Sequence, residues 1–530
     1  MKFKFFARYI NHKLSYTKDF GNLFFEENYW DDYGFKTTFE AYCPQKDGSI
    51  VYLGTVNIAR KTATISSDTY STSQDIGLEG EIEYFPEEFI TLGNESFYLN
   101  LHKYFNHHEC QDIFQKMNDI CYKFDEELWD KLFDFNVVNT SFFRGFSKKD
   151  ASRKIVESLQ PLANNGERNG YDITYTYLFK DKELLKIDFI ADSKAIYPQN
   201  VHAIIGNNGS GKTTFIKDVL LLAIRQELEV ESQFKINDES LKIFFSSKDE
   251  LKVDSPGDYF SKTILISFSP FDSLYLKNGI PIGENGNVEY LGLYKDGVVP
   301  LNFKALLKVF SKTIDKIIER RDNWTFFKEI LSNQDFQGDI SPLALKIEEA
   351  IQGSDIKTHL SEFFTKLSAG QKIILLSITT LIAEVEPYSL VLIDEPELFL
   401  HPPMISNYIR SINEIMRRKN GLCILTTHSP IIIQEIPRNC VKIIQSNDGD
   451  FINMIAPEYQ TLGENLSTLT NTIFGLNQYQ SGFYKLIKTI IQNRDFDKFT
   501  IEEIQKLDFG RDGTLYKNLL LSELIEEEEV

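Results

Sequence analysis

Eight residues constrain this chain more than any others: Gly206-Asn207-Asn208-Gly209-Ser210-Gly211-Lys212-Thr213, which fit the pattern G-x-x-x-x-G-K-[ST]. They follow a short apolar run, Val201-His202-Ala203-Ile204-Ile205, of the kind that forms a buried strand. They precede a segment, Thr214 to Glu227, with helical spacing. Strand, glycine loop and helix, in that order, make a phosphate-binding unit. The three glycines let the backbone curl so that successive N–H groups face phosphate oxygens. The helix N-terminus adds its unpaired donors and its dipole. On this pattern Lys212 reaches the β and γ phosphates of ATP and Thr213 ligates Mg²⁺. Asn207, Asn208, Gly209, Ser210, Gly211 and Thr214 complete the cradle.

A phosphate cradle alone does not hydrolyse anything. The second half of the expected site is Asp394-Glu395, at the end of the apolar run Leu390-Val391-Leu392-Ile393. Asp394 is expected to hold Mg²⁺, directly or through water, and Glu395 to act as general base toward the attacking water. Ser368 and Gly370, in Leu367-Ser368-Ala369-Gly370-Gln371-Lys372, lie at the start of an apolar helix, Ser368 standing 26 residues before Asp394. A helix start of this kind binds anions. Since the chain already carries one γ-phosphate cradle, this second one is expected to serve the nucleotide of a partner subunit. His428 follows a third apolar run, Leu422-Cys423-Ile424-Leu425, at the carboxyl edge where α/β sheets place their ligands. A histidine there can hydrogen-bond a γ phosphate. Glu395 and His428 are therefore the candidate catalytic residues.

Together these elements resemble an ABC-type ATPase head, corresponding in order to Walker A, signature, Walker B and switch histidine. The resemblance spans residues 180 to 440 and implies an α/β fold: a mixed sheet with a P-loop core and a helical insertion. It also implies a homodimer in which two heads sandwich two ATPs, each nucleotide between one glycine loop and the other subunit's Ser368 and Gly370. The run Asp394-Glu395-Pro396-Glu397-Leu398-Phe399-Leu400-His401-Pro402 is similar to that of RecF, SMC-like and overcoming-lysogenisation-defect ATPases. The 156 residues from Lys212 to Ser368 leave room for a helical insertion but not for long coiled-coil arms. Two departures stand out. The stretch Ile266-Ser267-Phe268-Ser269-Pro270-Phe271-Asp272 offers no Q-loop glutamine, with Ser269 the nearest substitute, and no aromatic residue is assigned to adenine. The segment Thr461 to Thr470 with Ile473-Phe474-Gly475-Leu476 resembles a run in Septu-type anti-phage defence ATPases, including retron-linked forms. That resemblance implies a separate nuclease effector of HNH type. The rivals are a RecF-like DNA-repair ATPase and an ATP-binding transporter subunit.

The rest of the chain sets the frame. In 530 residues, three regions are expected: an α+β region over 1–180, the ATPase head over 181–476 with its helical insertion at about 300–366, and a helical tail over 477–530 that could dock a partner. Phe35 to Arg60 reads as a hairpin around Asp47-Gly48, and Ile82 to Leu92 as a further strand. From Tyr104 to Leu132 the spacing turns helical. The net charge of −20 excludes a generally basic surface and confines any nucleic-acid contact to a local groove. Five scattered cysteines without a CxxC pair point to reduced thiols and a cytoplasmic protein, and no apolar stretch is long enough to span a membrane. His102, His107, His108, Cys110 and Cys121 match no standard zinc spacing. Asp495 and Asp497 lack the third acidic partner that a TOPRIM nuclease needs. Arg417-Arg418-Lys419 reads as favourable charge at a helix C-terminus.

Overall fold

A computed structural model of the chain describes residues 2–6, 20–28, 34–65, 69–76, 81–122, 124–143, 148–166, 170–179, 182–192, 195–207, 209–223, 232–236, 260–269, 288–295, 299–300, 302–319, 321–333, 362–447, 451–474, 482–492 and 506–528. Asn208, Glu227, Pro270-Phe271-Asp272, Asp495 and Asp497 lie outside them.

The N-terminal region is built on strands β1 (Phe3–Phe6), β2 (Leu23–Glu27), β3 (Thr38–Pro44), β4 (Ile50–Arg60), β5 (Glu81–Ile82) and β6 (Phe89–Gly93), in the sheet order β5-β1-β2-β3-β4-β6. The β3–β4 hairpin turns where the sequence expects it. Asp47 Oδ1 accepts from the Ser49 amide at 2.9 Å and its hydroxyl at 2.6 Å, while Gly48 takes a left-handed φ of 83°. The stretch Ile82 to Leu92 is not one strand. Phe89 N–H bonds back to the Pro86 carbonyl at 2.9 Å, a turn that separates β5 from β6. Helices α1 (Glu95–Tyr104), α2 (His107–Met117) and α3 (Glu126–Phe133) each start at a side-chain cap, Asn94, Asn106 and Asp125. The dense aromatics fill the core: Phe3, Phe5, Phe25 and Phe85 pack ring to ring, with centroids 5.4–6.4 Å apart. Among the described residues, this core draws its buried side chains from Phe3 to Ala163.

The next strands, β7 (Tyr171–Phe179) and β8 (Lys182–Ala191), form an antiparallel pair. After β9 (Val201–Gly206) comes helix α4 (Lys212–Ala223), and β10 (Ser232–Ile236) then adds to β7. The central sheet is completed by β11 (Thr263–Ser267), β12 (Val288–Gly292), β13 (Leu390–Asp394), β14 (Leu422–Thr427), β15 (Val441–Asn447) and β16 (Phe451–Ile455). Its order is β12-β11-β13-β14-β9-β15-β16, parallel throughout except for β16, which pairs antiparallel with β15. The fold is thus mixed α/β with a P-loop core.

Alternation along these strands feeds two cores, because successive side chains point to opposite faces. Ala203, Ile205, Ile264, Ile266, Val391 and Ile393 enter one core. Ile204, Leu265, Leu390 and Leu392 enter the other, with Phe215 and Ile216 of α4 and Tyr175 and Phe189 of the β7–β8 pair. Burial on both faces explains the continuous apolar runs.

On the first face lie α5 (Phe303–Glu319), α6 (Arg321–Asn333), α7 (Ala369–Glu384) and α8 (Pro402–Lys419). Glu384, 6% exposed, bridges Lys262 at the foot of β11 and Lys316 of α5, so one carboxylate ties α5 to the sheet. Arg417 and Arg418 pair with Glu414 and Lys419 bonds Asn323, which leaves the basic cluster in structural use. Helices α9 (Pro430–Ile433), α10 (Leu466–Phe474), α11 (Gly482–Gln492) and α12 (Arg511–Glu528) follow. The last two share a small core of Ile487, Tyr516, Leu520 and Leu521. Among the described residues no helix is long and apolar enough to cross a membrane.

Candidate functional site

The carboxyl ends of β9, β13 and β14 meet at one edge of the sheet, and the sequence loads each end with polar residues. Strand register brings them together. β13 and β14 both begin on leucine, and their parallel alignment sets Leu390 beside Leu422 and therefore Asp394 beside Thr426. Ser267 of β11 flanks Asp394 on its other side.

The glycine loop leaves β9 at Gly206, where a Cβ would meet the Ile444 carbonyl oxygen at 2.6 Å. Gly211 has a φ of 95°, which glycine adopts without strain. Lys212, 4% exposed, folds back over the loop and donates through Nζ to the carbonyls of Gly206 at 3.0 Å and Asn207 at 2.9 Å. Burial lowers the Lys212 pKa below that of an ordinary lysine, and the charges of Glu395, Asp394 and Glu397 oppose that shift. Ser210 Oγ is buried within the loop and has no hydrogen-bond partner among the described residues. Thr213 and Thr214 are exposed at the head of α4.

Asp394, 5% exposed, gathers two threonines: Thr213 Oγ1 donates to Oδ2 at 3.2 Å, and the Thr426 hydroxyl donates to Oδ1. A hydroxyl and a carboxylate at this separation form a hard oxygen set of the kind Mg²⁺ takes. Together with the orphaned Ser210 hydroxyl and the inward lysine, they suit a Mg²⁺–nucleotide. Among the described residues no group of three His, Cys, Asp or Glu could hold a metal, so the histidines and cysteines of α1 and α2 are not gathered into a site.

Glu395 adopts a left-handed φ of 48°, rare for a residue with a side chain, while its N–H continues the ladder to the Thr426 carbonyl at 3.0 Å. Its Oε1 lies 2.7 Å from His428 Nε2, with both side chains partly exposed at 26% and 30%. Thus Lys212, Thr213, Asp394, Glu395 and His428 converge on one edge. Ser368 and Gly370 stand differently. Ser368 is an exposed N-cap of α7 whose Oγ accepts from the Gln371 amide at 3.3 Å, while Gln371 Oε1 accepts from the Ser368 amide at 2.9 Å. Gly370 packs on the turn that carries Glu395, where an added Cβ would meet the Phe399 carbonyl oxygen at 2.7 Å.

Sequence reading missed Thr426, Thr427 and Glu397. Thr426 was available from the aligned leucines of β13 and β14. Glu397 was not, since its partners lie some thirty residues on: its Oε1 accepts from Thr427 Oγ1 at 2.8 Å and from the His428 amide at 2.6 Å. Burial raises the Glu397 pKa above the usual carboxylate range, and the bonds from His428 and Thr427 oppose that rise.

Residues 230–434 match the family model described as "AAA domain, putative AbiEii toxin, Type IV TA system". That span contains Asp394, Glu395 and His428, and the glycine loop lies just before it. This chain is a P-loop ATPase. The ATPase is similar to Protein ea59 of Escherichia phage lambda, at 28% identity over 536 residues covering 94% of each chain. Among solved structures it is similar to an ATP-binding cassette of an ABC transporter in its ADP conformation, with a TM-score of 0.28, 14% identity, and 58% of this chain and 96% of that one covered. It is also similar to an ATP-binding subunit of an ABC transporter, with a TM-score of 0.27, 16% identity, and 54% and 90% covered.

Proposed function

We propose that the ATPase binds Mg²⁺–ATP in the glycine loop, hydrolyses it with Glu395 as general base, and closes as a homodimer whose state controls a nuclease supplied by another chain. The observation that supports this most is the convergence of Lys212, Thr213, Asp394, Glu395 and His428 on one sheet edge. In this reading Lys212 gives up its two loop carbonyls for phosphate oxygens, and the loop amides take the rest. Thr213 and Asp394 would hold Mg²⁺, which supplies charge neutralisation on the phosphates when bound. Glu395 holds a proton acceptor at Oε1, and His428 Nε2 fixes its orientation. The exposed Ser368 cap supports a partner's phosphate reaching α7.

The defence setting is supported by the match to the family whose description names an AbiEii toxin and a Type IV TA system. Any nucleic acid would be met in a local groove, given the acidic balance. The test is turnover together with calorimetry. Lys212→Ala is expected to lose ATP binding, and Glu395→Gln to bind ATP at near wild-type affinity with hydrolysis reduced roughly 100-fold or more. Wild-type affinity in Lys212→Ala would refute the site.

A further inference from the structure

The turn after β13 carries a second glutamate with no place in the chemistry above. Glu397 lies within a turn stapled by Leu398 N–H to the Glu395 carbonyl at 3.1 Å and by Leu400 N–H to the Glu397 carbonyl at 3.0 Å. Its Oε1 crosses to the neighbouring strand and accepts two bonds at the corner where β14 ends. One donor is the backbone N–H of His428 itself. The other is Thr427 Oγ1, which in turn accepts the Ser429 amide at 2.8 Å, so one carboxylate oxygen anchors three successive residues. Glu397 Oε2 is buried and makes no hydrogen bond among the described residues. Native proteins rarely strand a buried carboxylate oxygen, because the group gives up its hydration and gains no partner in return. Packing alone would be met more cheaply by an apolar side chain.

We infer that Glu397 is a positioning residue: it pins the His428 backbone so that the imidazole meets Glu395, joining the two halves of the catalytic pair through one turn. Glu395 and Glu397 leave the same turn, and His428 is held by both, at its ring by the first and at its amide by the second. Any movement of the turn is therefore passed to the histidine as a unit. Neither of these bonds goes to the glycine loop or Asp394; apart from its charge, which is felt at Lys212, Glu397 reaches the reaction through His428.

This inference rests on the reading of Glu395 and His428 as catalytic, and the test separates the two. Steady-state ATP turnover is measured for Glu397→Ala, Glu397→Gln, His428→Ala and the double variant Glu397→Ala/His428→Ala. Loss of two bonds to one acceptor is expected to lower kcat roughly 10- to 100-fold in Glu397→Ala, with KM changed less than about threefold. Glu397→Gln keeps a carbonyl acceptor for both donors and is expected to restore kcat to within about threefold of wild type. The decisive comparison is the cycle: if Glu397 acts through His428, the double variant turns over at the rate of His428→Ala alone, to within about twofold. Thr427→Val, which removes one donor, is expected to lose roughly threefold in wild type and nothing further beside His428→Ala, and it serves if Glu397→Ala fails to fold. Multiplicative losses in the cycle, or Glu397→Gln as slow as Glu397→Ala, would overturn the inference while leaving the catalytic pair intact. His428→Ala at the wild-type rate would instead sink the catalytic reading itself.

Discussion

Gly370→Ala sets two effects of opposite sign against each other. Gly370 is the second residue of α7, and alanine is the better helix former by up to about 1 kcal/mol, less at a helix start. Against this, the new Cβ would stand 2.7 Å from the Phe399 carbonyl oxygen and 3.3 Å from Leu400 Cδ2. The nearer contact is with backbone, and that backbone has little freedom. Phe399 already sits at a φ of 68°, and the turn is held by two internal hydrogen bonds. Overpacking against such a neighbour costs roughly 1–3 kcal/mol, so the clash outweighs the propensity gain. The expected result is an apparent Tm lower by about 1–3 °C in differential scanning fluorimetry. The turn carries Glu395, so kcat is expected to fall with stability. A Gly370→Ala protein as stable as wild type, with turnover lost only through dimer formation, would refute packing within the chain as the reason for this glycine.

Three further outcomes are open to measurement. Glu384→Ala strips the shared partner from Lys262 and Lys316 and is expected to cost roughly 3 kcal/mol in denaturant unfolding. Although burial pushes the Glu384 pKa up, the two lysines hold it below the ordinary carboxylate value; the stabilisation is then full above that ordinary value of 4.5 and lost as pH falls through the lower folded value, a decline that Glu384→Ala should lack. The purified chain is expected to leave plasmid, single strands and tRNA intact with Mg²⁺ or Mn²⁺; cleavage abolished by Asp495→Ala/Asp497→Ala would move the nuclease into this chain.

What the sequence shows plainly is local. The strand–loop–helix around Lys212 and the apolar run before Asp394 are contiguous patterns whose spacing specifies their shape, as does the Asp47-Gly48 hairpin. What it hides is set by tertiary pairing. Nothing near Glu397 says that its carboxylate reaches the His428 amide, because that contact depends on β13 and β14 lying side by side. The parallel pairing of β1 with β2, and the bridge that Glu384 makes between Lys262 and Lys316, are hidden for the same reason. Gly370 is legible as part of a helix-start motif, but its contact with the Phe399 carbonyl is not.

The central proposal, that ATP closes two chains into a dimer, is tested most directly by mass. Glu395→Gln should be weighed in solution by light scattering or mass photometry, with saturating ATP and Mg²⁺, with ADP, and without nucleotide. The expected result is a mass of one 61.3 kDa chain without nucleotide and with ADP, doubling with ATP. Lys212→Ala should stay at the single-chain mass in every condition. A mass in Glu395→Gln that is the same with and without ATP, while calorimetry shows the nucleotide bound, would contradict ATP-driven closure.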